Sequence, residues 1–81
     1  MTIYVVDVPE FQSLIADATN KPHCRVTRLN STYVRIDSDE PLEFSRRALG
    51  LKPAIWYGLF TGGLDGTIER FDREVVRIVP Q

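Results

Sequence analysis

The spacing of apolar positions at the start of the chain predicts a strand followed by a helix. Residues 2–6 are β-branched or aromatic and place apolar side chains on both faces, which is typical of an interior strand. Asp7 and Glu10 then have the spacing of a capping box, with Pro9 in the first turn. Asn-Lys-Pro at 20–22 predicts the end of the helix. Its buried stripe would consist of Val8, Phe11, Leu14, Ile15 and Ala18.

Two segments in which apolar and polar residues alternate come next, residues 23–29 and residues 32–37. They predict two strands joined at Asn30-Ser31 as a hairpin. The side chains expected to point inward are Cys24, Val26, Val34 and Ile36. The opposite and more solvated face would carry His23, Arg25, Thr27, Tyr33 and Arg35.

The segment 39–49 predicts a second short helix. It begins with an acidic pair and an early proline, Asp-Glu-Pro at 39–41, and Gly50 is the expected stop. Glu43 and Arg47 have the spacing of a favourable i,i+4 pair on such a helix. The inner face would hold Leu42, Ser45, Ala48 and Leu49.

Residues 54–61 have two interpretations. The preferred one is a strand, because β-branched and aromatic residues dominate the segment, namely Ile55, Trp56, Tyr57 and Phe60. The other is a helix, because Pro53 precedes the segment and Gly62 follows it, as at the two ends of a helix. The pairs Ile55/Leu59 and Trp56/Phe60 also have i,i+4 spacing.

The end of the chain predicts a hairpin, which completes an α+β domain. Residues 67–71 and 74–79 would pair around Asp72-Arg73, with Ile68, Val76 and Ile78 pointing inward. The glycine-rich segment 62–66 predicts a turn that needs a positive φ; an exposed recognition loop is the alternative. The summed order is β-α-β-β-α-β-β-β, with two short helices packed on one mostly antiparallel sheet. We expect residues 1–81 to form a single globular domain.

The stretch 64–72, together with Val75 and Ile78, resembles the strand–bend–strand core of bacterial Sm-like RNA chaperones. A strand, a helix and a hairpin of their own precede this stretch, in a region that the resemblance does not cover. A bent hairpin that turns at Phe71-Asp72 accounts for the same residues, so we assign the chain to no family.

Composition narrows the function classes. The chain has 81 residues, 43% of them hydrophobic, a net charge of −1 and one cysteine. A domain of this size buries only about 60% of its unfolded surface, so association with a partner is a reasonable source of stability. One histidine and one cysteine are too few for a closed zinc site, and we expect neither a metal nor a cofactor. The lone cysteine, with no leader and no apolar run of about 18 residues, predicts a cytoplasmic protein without a membrane partner.

Catalytic arrangements are hard to build from these residues. His23 and Cys24 are adjacent, and neighbouring side chains on a strand point to opposite faces, so the two do not form a nucleophile–base pair. The carboxylates between positions 37 and 43 suit helix capping better than a metal cluster or an acid–base pair. We therefore expect a protein that is not an enzyme.

Two functional hypotheses follow. The first is a non-enzymatic protein-interaction module, an adaptor or regulator that forms a homodimer and binds another protein. Its interface anchors would be Trp56, Tyr57 and Phe60, because large aromatic residues dominate binding energy at interface centres. The alternative is a small RNA-binding or single-stranded-DNA-binding protein that uses an Arg/Tyr sheet face. The binding residues would be Arg25, Tyr33 and Arg35 on that face, with Arg28 near the end of the hairpin.

Overall fold

Seven strands and three short helices form the chain in a computed structural model that describes all 81 residues. The strands are β1 (Thr2–Val6), β2 (Cys24–Arg28), β3 (Tyr33–Ser38), β4 (Leu42–Ser45), β5 (Leu64–Asp65), β6 (Thr67–Phe71) and β7 (Val75–Val79). The helices are α1 (Gln12–Thr19), α2 (Arg46–Leu49) and α3 (Pro53–Trp56), with a 3-10 turn at Pro9–Phe11 before α1. The predicted α+β class is confirmed. None of the helices has the combination of length and apolar composition that a membrane span requires.

The strands form two antiparallel sheets, whereas the sequence predicted one. The first has the order β2-β3-β1-β5 and the second the order β4-β7-β6. The chain passes between them at Gly66, where β5 ends and β6 begins. A Cβ at Gly66 would lie 2.8 Å from the Met1 Cγ and 3.3 Å from the Val79 carbonyl oxygen. The prediction of a single sheet was wrong because this crowded bend separates two consecutive strands into different sheets.

One hydrophobic cluster fills the space between the sheets and the helices. Phe11, Leu14, Ile15 and Ala18 are buried, so the helical stripe predicted for α1 is confirmed, with Val8 packed at its margin. The other buried apolar residues are Ile3, Val5, Val34, Ile36, Leu42, Phe44, Leu51, Trp56, Leu59, Val76 and Ile78. Members of both sheets share this one core, which makes the chain a single domain.

The first hairpin and the glycine-rich turn at residues 62–66 follow the prediction. In β2–β3 pairing, Val26 lies opposite Ile36, and the Asn30 side-chain oxygen accepts the Thr32 and Tyr33 N–H groups at the turn. Gly63 has a φ of 114°, as expected for the glycine-rich segment. The N-terminus of the first helix differs, because the Asp7 carboxylate caps no backbone N–H. It accepts from Gln12 Nε2 at 2.8 Å and pairs with Arg28.

The helix predicted over 39–49 is wrong in its first half. Residues 42–45 form β4, which pairs with β7 so that Leu42 lies opposite Ile78 and Phe44 opposite Val76. The short alternation Leu-Glu-Phe-Ser is satisfied by that distant strand. Only the last turn is helical, as α2, with Ser45 accepting the Ala48 N–H and Gly50 left-handed at a φ of 69°. The expected Glu43–Arg47 pair is therefore absent.

The strand interpretation of 54–61 is also wrong, and the helical signals there prevail. Pro53 is the first residue of α3, and the Tyr57 N–H donates to the Pro53 carbonyl. Tight turns continue to Gly63, which donates to the Phe60 carbonyl. This geometry buries Trp56 and Leu59, three positions apart, in the core. A strand would have pointed these two residues to opposite faces.

Candidate interaction surface

Trp56 is a core residue in this fold. Its side chain is fully buried, and the indole N–H donates to the Asp72 carbonyl oxygen at 2.7 Å. Its ring meets Phe71 edge to face, with 5.8 Å between the centroids. Trp56 thus ties α3 to the β6–β7 turn, and it leaves no exposed area that a partner could contact.

The other two predicted anchors lie at the surface beside two residues that the sequence analysis did not assign to an interface. Phe71 is the centre of the group: its ring lies 5.8 Å from the Tyr57 ring and 5.1 Å from the Phe60 ring. Tyr57 is 55% exposed, and Phe60 and Phe71 are partly buried. Ile68, which is 44% exposed, precedes Phe71 on the same strand. We call these four residues, Tyr57, Phe60, Ile68 and Phe71, the aromatic patch.

Ile68 is exposed because of the position of β6 in the sheet. β6 pairs with β7 on one side only, and four of its five residues are exposed. Ile68 lies opposite the buried Ile78 and so points to the core side, as the sequence predicted. At the edge of the sheet, however, no element covers it. The alternation of apolar and polar residues in 67–71 predicted that Ile68 points to the core side. Only the strand order shows that β6 lies at the edge of the sheet.

A β-bulge gives β6 an unusual arrangement of side chains. Ile68 pairs with Ile78 while Arg70 pairs with Arg77, so Glu69 is the extra residue. The Arg77 Nε donates to Glu69 Oε1 at 2.9 Å. Glu69 and Arg70 therefore both lie on the outer face with Arg77, whereas Ile68 and Phe71 both lie on the core side.

Asp72 closes the turn next to the aromatic patch. Its Oδ1 accepts the backbone N–H groups of Val75 and Glu74, each at 2.8 Å, and its Oδ2 accepts from Arg70 Nε at 2.6 Å. The bond from Val75, with those from Arg70 and Glu74, stabilises the carboxylate and lowers its pKa to about 2. The turn that supports Trp56 and Phe71 is thus held by an ionised side chain.

The predicted Arg/Tyr face is only partly assembled. Arg25, Tyr33 and Arg35 do lie on the outer face of the four-stranded sheet, and Tyr4 joins them opposite Arg35. Arg28 lies opposite the buried Val34, so it is on the other face, where it pairs with Asp7. The outer face therefore carries Arg25 and Arg35, and Arg28, which was expected near the end of the hairpin as part of the same site, lies on the opposite face.

Acidic side chains neutralise these arginines. Arg35 Nε lies 2.9 Å from Asp37 Oδ2, and Arg25 Nη1 lies 3.8 Å from Asp39 Oδ2. Partial burial raises the pKa of Asp37, but hydrogen bonds from Thr2 and Arg35 outweigh it and leave the pKa below its ordinary value. Asp37 is consequently ionised at neutral pH. The outer face carries both charges in close pairs, with no uniformly positive field.

His23 and Cys24 do not form a reactive pair. The nearest charged partner of His23 is Glu40, at 3.8 Å from Nδ1, and the Nε2 atom is buried without a hydrogen-bond partner. Burial raises the pKa of the Cys24 thiol, which favours the unreactive protonated form. No group of three or more potential ligands could hold a metal ion.

An open cavity of about 540 Å³ lies beside the N-terminus of α3. Its apolar lining comes from Leu51 and Ile55, and Glu10 and Lys52 supply one charge of each sign. None of its lining residues belongs to the aromatic patch.

Comparison of the chain with protein-family models, with curated proteins and with solved structures gives no match.

Proposed function

We propose that this protein is a small non-enzymatic interaction module of the cytoplasm, an adaptor or regulator that forms a homodimer through the aromatic patch. One observation carries the proposal: exposed Tyr57 lies beside the Phe71 ring, and exposed Ile68 lies on the same side of β6 as Phe71, at an unpaired sheet edge. Contiguous apolar surface of this kind is typical of protein contact sites. An unpaired strand edge offers backbone groups to a partner as well.

The small core supports association. Only 17 of the 81 residues are buried, so further burial of apolar surface has a large relative effect on stability. Complete burial of a fully exposed aliphatic side chain contributes about 1.5–3 kcal/mol. Covering the exposed 44% of Ile68 contributes a part of this free energy, and the entropy lost on association opposes it. Tyr57 adds a large ring with few rotatable bonds, the type of residue that dominates interface energies.

A second candidate function, binding of RNA or single-stranded DNA, has one observation in its favour. Arg25, Tyr33, Arg35 and Tyr4 share the outer face of the first sheet, and aromatic rings beside guanidinium groups suit base stacking and phosphate contact. The ion pairs with Asp37 and Asp39 reduce this support, because they would have to open before phosphate could bind.

Analytical ultracentrifugation of the pure protein, alone and with a mixed-sequence single-stranded oligonucleotide, separates the two functions. We expect a monomer–dimer equilibrium at micromolar concentration and no co-sedimentation with the oligonucleotide. A monomer that co-sediments at low salt and releases the oligonucleotide as salt rises would favour the nucleic-acid function.

Variants locate the surface. Tyr57→Ser and Ile68→Ser are each expected to weaken dimerisation by about tenfold or more, because each removes exposed apolar area at the patch. Leu29→Ser is the matched control, since Leu29 is 47% exposed in the first hairpin, outside the patch. Equal effects of all three variants would contradict the proposed surface.

A further inference from the structure

In the middle of the edge strand β6, the order of side-chain types is complementary to its own reverse. Residues 68–71 are Ile-Glu-Arg-Phe, that is apolar, acidic, basic and apolar. Two antiparallel copies of such a segment can align so that every side chain meets its complement. The alignment places acid against base in the centre and apolar against apolar at both ends.

The bulge makes this alignment geometrically possible. A two-fold axis perpendicular to a sheet keeps each face on the same side, so residues opposite one another must share a face. In a regular strand, residues 69 and 70 would point to opposite faces, and an axis between them would be forbidden. Here Glu69 and Arg70 share the outer face, and Ile68 and Phe71 share the core side. A two-fold axis between Glu69 and Arg70 therefore places residues that share a face opposite one another.

We propose that β6 aligns antiparallel with β6 of a second copy, about a two-fold axis between Glu69 and Arg70. This inference rests on the proposed function and specifies the partner and the register. Each Glu69, which Arg77 of its own chain contacts, lies opposite the partner's Arg70, which is itself paired with Asp72 within its chain. Each Ile68 lies opposite the partner's Phe71. The two three-stranded sheets become one sheet of order β4-β7-β6-β6-β7-β4.

The charges select this register over its neighbours. An axis through residue 69 places Glu69 against Glu69, and an axis through residue 70 places Arg70 against Arg70. Like charges directly opposite are destabilising. Charged residues and bulges on an edge strand ordinarily prevent edge pairing, so indiscriminate association is suppressed. Of these three registers, only the one that pairs Glu69 with Arg70 places unlike charges opposite one another, which favours a second copy in this alignment.

The aromatic patch adds apolar contact to the same alignment. Phe71 touches both Tyr57 and Phe60 on the core side of β6. Ile68 of the second copy, placed opposite Phe71, lies beside this group. The alignment thus covers the exposed Ile68 of each chain with the Phe71 ring of the other.

Charge exchange tests the register. Glu69→Lys gives each copy two adjacent bases and Arg70→Glu gives each copy two adjacent acids, so we expect each variant alone to dimerise about tenfold or more weakly than the natural chain. An equimolar mixture of the two variants should form a heterodimer, because every base then lies opposite an acid. The double variant E69K/R70E should recover self-association. Sedimentation and native mass spectrometry measure all four cases.

Glu43→Lys is the matched control for Glu69→Lys. Glu43 contacts the same Arg77 as Glu69 does, at 3.5 Å, but from β4 at the opposite edge of the sheet. This control reproduces the loss of one carboxylate partner of Arg77 and the change in net charge. We expect it to leave the dimer constant unchanged, and thermal unfolding verifies that every variant is folded.

The outcomes separate this inference from the proposed function. One outcome would overturn the register and retain the aromatic patch as the interface. In that outcome the natural chain dimerises, Tyr57→Ser weakens the dimer, Glu69→Lys leaves it intact, and the mixture of charge variants does not associate. A natural chain that stays monomeric throughout the micromolar range would overturn both.

Discussion

Gly62 allows the loop after α3 to lie directly on β1. A Cβ at this position would lie 2.3 Å from the Tyr4 carbonyl oxygen and 3.1 Å from the Tyr33 Cε1. Next to it, the Tyr4 N–H donates to the Gly63 carbonyl at 3.0 Å. The contact needs a residue without a side chain, because rigid backbone occupies the space.

Gly62→Ala is expected to lower the free energy of unfolding by about 1–3 kcal/mol, as overpacking does in other closely packed sites. Gly58→Ala is the control, since its Cβ would meet the nearest atom, the Ile55 carbonyl oxygen, only at 3.4 Å. Urea denaturation of both variants measures the difference. Equal stabilities of the two would contradict the close approach.

At the scale of elements, the β6–β7 turn joins the candidate surface to the core. Asp72 binds two backbone N–H groups through its side chain, and its carbonyl accepts the Trp56 indole N–H. The turn therefore positions α3 and the Phe71 ring together. Ionisation of Asp72 is the part of this arrangement that depends on pH.

Asp72 predicts a loss of stability in acid. Its pKa is about 2 in the folded chain against an ordinary 3.8, so the stabilisation is complete above about pH 4 and disappears as pH falls toward 2. The pKa of Asp7 is lowered by hydrogen bonds from Gln12 and Arg28, and it acts in the same direction. In Asp72→Asn the decline should be shallower, because the uncharged amide does not titrate. Chemical denaturation across this pH range measures the two slopes, and parallel slopes would contradict the role of Asp72.

The element types differed in how well local sequence predicted them. α1 and both hairpins were predicted correctly, because their stripes, turns and alternation involve residues close together in the chain. β4 was mistaken for a helix, because its pairing with β7 is a long-range interaction that local signals do not contain. α3 was mistaken for a strand, because propensity was weighted above the Pro53 start and the i,i+4 pairs.

At the scale of the whole molecule, the proposed dimerisation would be coupled to stability. A partner that binds only the folded chain stabilises it by mass action. We therefore expect the unfolding midpoint temperature to rise with protein concentration across the micromolar range. Tyr57→Ser should show a weaker dependence on concentration. Differential scanning calorimetry over a hundredfold series measures this, and a midpoint independent of concentration would contradict coupled folding and dimerisation.

Local sequence was sufficient for the α+β class, the stripe of α1, the two hairpins and the positive φ in the glycine-rich turn. These features depend on periodicity and turn chemistry within a few neighbouring residues. Local sequence could not predict the order of the strands, and this order decides which side chains are exposed to solvent. Trp56 is in the core, while Ile68 points to the core side at an uncovered edge. The bulge that brings Glu69 and Arg70 to one face likewise exists only in the pairing of β6 with β7. The candidate site is therefore a product of long-range contacts. The exposure of a side chain and the face on which it lies depend on neighbours that are distant in the chain.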